Sequence, residues 1–160
     1  MQPPTTKPQV SEETHLAAEA AIKRFKYEKP SQYDRKKVSV RLAQGELVRG
    51  MIQVAKEGGE NNLHYHANVD GFWMVLSGKV RFYGTGDKLI AELGSREGLM
   101  IPRYARYWFE NAGDEELEIL LVQAFAHGGA QLNSERIDAS PPKLERPGAA
   151  PQFTAEVPRG

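Results

Sequence analysis

Gly58-Gly59-Glu60-Asn61-Asn62-Leu63-His64-Tyr65-His66, followed by Phe72-Trp73-Met74-Val75-Leu76-Ser77-Gly78 and Lys79-Val80-Arg81-Phe82-Tyr83-Gly84, is the stretch on which the reading of the chain turns. Side chains alternate across a β-strand with a period of two, so His64 and His66 look into one space. If Gly71 shares their face, Trp73 and Val75 share it too, and Phe72, Met74 and Leu76 face the other way. The two apolar runs on either side of Ser77-Gly78 are expected to form a hairpin.

Working outward, Lys37-Val38-Ser39-Val40-Arg41-Leu42 alternates polar and apolar residues, and Leu47 to Ala55 does so more loosely, with a turn at Gln44-Gly45. Further short apolar runs follow at Leu89–Leu93, Gly98–Pro102, Tyr107–Asn111 and Leu117–Phe125, punctuated by Gly84, Gly86, Gly94, Gly98 and Gly113. Many short strands separated by turn residues imply an all-β sandwich or barrel, with a jelly roll as the natural form.

These motifs resemble the cupin superfamily. Gly58, His64-x-His66, Phe72 to Leu76 and Gly78 are similar to its first motif, and Gly98, Ile101-Pro102, Phe109 and Asn111 to its second. The resemblance covers residues 45–125 and implies a cupin-like jelly-roll β-barrel, but the superfamily hosts many chemistries. Its metal-binding members add a glutamate seven residues before the hairpin glycine and a third histidine four residues before the motif-two asparagine. In this chain Gly71 and Tyr107 stand at those positions.

Two functions follow. One is an oxygenase or isomerase using Fe, Mn, Ni or Zn held by His64, His66 and Asp70, the carboxylate next to Gly71; a catalytic metal needs about three protein ligands and an open position. The alternative is a metal-free cupin that binds or senses a small aromatic or acidic ligand. Trp73, Tyr107 and Phe109 are the expected pocket walls. Tyr107 is also the candidate catalytic residue, because the resemblance extends to sugar epimerases in which a tyrosine acts as general acid; Arg103 and Arg106 are near it in sequence. Arg41, Arg49 and Arg81 either face the cavity mouth to meet an anion or point outward. His15 and His127 lie away from the motifs, and Asp114-Glu115-Glu116 reads as a solvated turn.

The chain has 160 residues, enough for one core. Lys and Arg number 21, as do Asp and Glu, so charge favours neither nucleic acid nor an anionic membrane as a partner. There is no cysteine, which excludes disulfides and thiolate ligands. Without an apolar signal core or a spanning run of about 18 residues, a cytoplasmic location is expected. Residues 1–10 read as a mobile arm, 11–36 as a short helix with a connecting segment, 37–127 as the barrel, and 128–160 as a proline-rich arm, extended or disordered. Ser11 is the expected N-cap, and Leu16, Ala20 and Ile22 the apolar stripe of a helix that runs on toward Pro30. A homodimer would cover the outward-facing Phe72, Met74 and Leu76.

Overall fold

The computed structural model describes residues 7–126, 135–139 and 152–158. Helix α1 (Glu12–Ala20) opens with the Ser11 hydroxyl accepting from the Thr14 backbone N–H at 3.2 Å, and Glu12 and Glu13 occupy the first turn. It ends earlier than the sequence suggests. Leu16 and Ile22 stay exposed and the helix buries no residue, because the chain leaves it to form β1 (Arg24–Phe25).

The barrel consists of β2 (Lys37–Gln44), β3 (Val48–Ala55), β4 (Gly59–His66), β5 (Val69–Ser77), β6 (Val80–Tyr83), β7 (Leu89–Leu93), β8 (Gly98–Ile101), β9 (Tyr107–Asn111) and β10 (Leu117–Phe125). Three later strands, β11 (Arg136–Asp138), β12 (Gln152–Thr154) and β13 (Glu156–Val157), lie along its edges. One sheet has the order β12-β2-β3-β10-β5-β8, the other β11-β4-β9-β6-β7, and β1 pairs with β13. This is the all-β jelly roll expected from the strand spacing, and the described parts of the proline-rich arm are strands on its rim.

The expected hairpin at Ser77-Gly78 is corrected. Strand β5 pairs with β10 and β8, whereas β6 pairs with β9 and β7, so the turn carries the chain from one sheet to the other. Gly78 makes the corner at φ +89°, and a Cβ there would lie 2.8 Å from the Glu116 carbonyl oxygen. Gly98 is demanded by close approach instead: its Cβ would fall within the contact radius of the Trp73 carbonyl oxygen.

Alternation along the strands produces two apolar layers. Between the sheets lie Met51, Trp73, Val75, Val80, Phe82, Tyr107, Phe109, Leu117, Ile119 and Leu121. On the outer face of the six-stranded sheet, Val38, Val40, Leu42, Ile52 and Val54 pack with Ala155 beneath Tyr27 and Tyr33. Those tyrosines are fixed by their hydroxyls, which donate to Glu118 at 2.6 Å and Glu116 at 2.8 Å. Burial and the neighbouring carboxylates push both phenols well above their usual pKa.

Candidate functional site

The site grows from β4, where the alternation that buries Leu63 on one side puts His64 on the other. His64 is completely buried, and its Nδ1 donates to the Asn62 carbonyl at 2.8 Å, which places the ring lone pair on Nε2. His64 pairs in register with Tyr107 on β9, and their ring centroids lie 4.4 Å apart. His66, half-buried, stands edge-on to His64 with centroids 5.3 Å apart, and its ring lies 6.3 Å from that of Tyr107. Strand β11 adds Arg136 opposite His66 and Asp138 opposite His64, with Arg136 Nε 3.6 Å from Asp138 Oδ1. No motif in the proline-rich segment points to that contribution.

Trp73, Tyr107 and Phe109 all lie in the interior cluster. Trp73 meets Phe109 and Phe82 edge-on, at centroid separations of 5.2 and 5.6 Å, and lies 6.3 Å from Tyr107. The indole also occupies the space beside Gly71. A Cβ at Gly71 would lie 3.2 Å from Trp73 Nε1 and 3.5 Å from Leu121 Cδ1, so a longer side chain there would have to displace the ring.

Asp70 does not join the histidines. Strand parity turns it to the outer face, where it is exposed and its Oδ1 accepts from the Arg103 backbone N–H at 2.8 Å. Among the described residues no three His, Cys, Asp or Glu side chains converge on a point where a metal could sit. Two imidazoles, a glycine and a phenol therefore do not fit the four-ligand centre that the motif spacing implies.

The three strand arginines separate. Arg81 is at the surface, its Nε 2.6 Å from Glu92 Oε2. Arg49 is inside and nearly inaccessible: its Nε and Nη2 donate to Gln123 Oε1 at 3.2 and 2.8 Å, and its guanidinium lies 5.2 Å from the centre of the Phe125 ring. Arg41 pairs in register with the inward-facing Met51 and so shares its face. Burial, and then the charge of Arg41, push the Arg49 pKa down. Sequence reading left this choice open because alternation alone does not say which face of β2 and β3 is interior. Of the remaining candidates, His15 is an exposed helix residue, Arg103 lies against Tyr104 with 5.3 Å from guanidinium to ring centre, and His127 falls outside the described residues.

A family profile described as the cupin domain matches residues 51–123. Among solved structures, an uncharacterised protein with a double-stranded β-helix domain from Klebsiella pneumoniae superposes with a TM-score of 0.56 at 18% identity, covering 71% of this chain and 90% of that one. An oxalate oxidase in complex with the substrate analogue glycolate gives a TM-score of 0.51 at 18% identity, covering 67% of this chain and 57% of the oxidase. The oxalate decarboxylase of Bacillus subtilis, a protein with Mn(II) centres, gives 0.47 at 18% identity, covering 59% of this chain. The chain spans only 24% of that decarboxylase. No curated protein matches the sequence. No helix among the described residues is long and apolar enough to cross a membrane.

Proposed function

The chain belongs to the cupin superfamily, and we propose that its barrel binds a small molecule without the four-ligand metal centre of the metal-dependent members. The observation that carries this reading is the exchange at Gly71. The indole of Trp73 fills the space beside the position where a metal-binding cupin has a carboxylate, so an anionic ligand has been replaced by an aromatic N–H donor. Tyr107 likewise presents a phenol to His64 in place of a third imidazole. Side chains of this composition would hold a ligand by aromatic contact and hydrogen bonds rather than by ligation to a metal.

A second reading, a divalent-metal oxygenase or isomerase, is favoured by one observation. The Nδ1–H of His64 donates to a backbone carbonyl, the arrangement that orients a histidine for ligation through Nε2. With Fe, Mn, Ni or Zn, His64 and His66 would be the protein ligands, and the metal would act as a Lewis acid toward a coordinated substrate. Thermal unfolding with each of these ions separates the readings, because a ligand that binds only the folded state raises Tm. The metal-free reading expects no rise that disappears in His64→Ala; a His64-dependent rise with any one ion would overturn it and support metal binding at the two histidines, on which the second reading depends.

Assembly as a homodimer belongs to the same proposal. Phe72 and Met100, paired in register on the outer face of the six-stranded sheet, are each 56% exposed, and a second copy would cover them. Sedimentation velocity is expected to give a dimer that Phe72→Asp dissociates.

A further inference from the structure

Resting on the reading of the barrel as a metal-free ligand site, we propose that its ligand is a small carboxylate held by Arg41 and the Trp73 indole N–H, with Arg49 supplying a second positive charge. Arg41 Nε, Trp73 Nε1 and Gln53 Oε1 are buried and have no hydrogen-bond partner among the described residues. Two of the three are donors. Trp73 is only 1% exposed, so its N–H does not turn to bulk water. A buried donor left unsatisfied is destabilising, so donors that persist inside a packed barrel point to an acceptor brought from outside the chain.

The register puts these groups together. Arg41, Met51, Leu121 and Trp73 form one row across β2, β3, β10 and β5, and Arg49, Gln123 and Gly71 form the next row toward the rim. Cross-strand partners share a face, and Met51, Leu121 and Trp73 belong to the interior cluster, so both rows look inward. The indole nitrogen leans from its own row toward the gap at Gly71, which lies beside Gln123, the residue that fixes Arg49. Two guanidinium groups and an indole N–H thus lie on one inner face, in two adjacent rows, and Gly71 contributes no carboxylate to oppose them. The depressed Arg49 pKa reports the same concentration of positive charge in a low-dielectric setting, which a bound anion would relieve.

A carboxylate fits better than a neutral polar group because its two oxygens match the planar donor edge of a guanidinium and the bonds are charge-assisted. The close packing of Trp73, Tyr107 and Phe109 confines the ligand to a small one.

The protein has two tryptophans, and the second is a built-in control. Trp108 faces away, stacked on Tyr83, with its Nε1–H donating to Asp87 Oδ1 at 2.9 Å. In a proton–nitrogen correlation spectrum the two indole peaks report the inside and the outside of the barrel. Titration with malonate and with benzoate at fixed ionic strength is expected to shift the Trp73 peak saturably and leave the Trp108 peak in place. The neutral isosteres malonamide and benzamide should leave both unmoved. Arg41→Gln should weaken the carboxylate response by about tenfold or more, and Arg41→Lys, which keeps charge but loses the planar fork, by less. A Trp73 peak that answers amides as strongly as carboxylates would overturn the carboxylate assignment while leaving a ligand-binding barrel. A Trp73 peak unmoved by both acids in the folded wild-type protein would overturn it too. The underlying metal-free reading fails by a different readout, the His64-dependent rise in Tm with added metal.

Discussion

The two ends of the barrel are spanned by the same strands and differ in what those strands carry inside. Toward one end, Val75, Val80, Phe82, Leu117 and Ile119 are at most 1% exposed and purely apolar. Toward the other, the same alternation delivers His64, His66, Arg41, Arg49 and Gln123. Gln53 lies between them, in register with Ile119. The first end is built for burial. The second departs from that rule in several places at once, and such local departures mark functional sites.

The contrast can be broken from the apolar end first. Phe82→Ala removes a fully buried ring that packs against Trp73 and Phe109, and should destabilise the protein by about 3 to 5 kcal/mol in urea unfolding. A loss below about 1 kcal/mol would mean that the apolar end is not the stabilising one. At the boundary, Gln53→Met discards the buried carbonyl that has no partner among the described residues while keeping an unbranched side chain of similar length. Stability should hold or rise by about 1 kcal/mol. A large loss would show that Gln53 is satisfied and structural.

The outer layer gives a smaller, pH-dependent effect. The Tyr27 and Tyr33 phenols have folded-state pKa values raised above the unfolded value of about 10, so the folded state holds their protons more tightly. Their contribution is complete below about pH 10 and declines as pH rises beyond it. Tyr27→Phe should lower stability by about 1 kcal/mol at neutral pH and flatten the alkaline decline. The smallest effect belongs to the exposed Arg81–Glu92 pair, where Arg81→Ala should leave the unfolding midpoint within experimental error.

Much of the barrel was legible because strand alternation is a local property. Parity pairs His64 with His66, Gly71 with Trp73 and Val75, and Tyr107 with Phe109; that all three sets face the interior is what the resemblance to the two cupin motifs implied. What was not legible depends on long-range pairing. The turn at Gly78 has the composition of a hairpin, yet whether the chain folds back or crosses to the other sheet is decided by β10 and β9. Asp70 is adjacent to Gly71 in sequence and on the opposite face in space. Arg41 and Arg49 become interior only because Tyr27, Tyr33 and Ala155 cover the other face of their sheet. Arg136 and Asp138 come from a segment read as an extended or disordered arm, in which no motif marked either residue.

The proposed metal-free barrel leaves His64 and His66 without a metal to hold. Elemental analysis by inductively coupled plasma mass spectrometry, on untagged protein purified without chelator and run beside His64→Ala, tests it most directly. The metal-free reading expects iron, manganese, nickel and zinc far below one equivalent in both proteins. Near-stoichiometric metal in the wild type that disappears in His64→Ala would contradict it and make the barrel a metal site built on the two histidines.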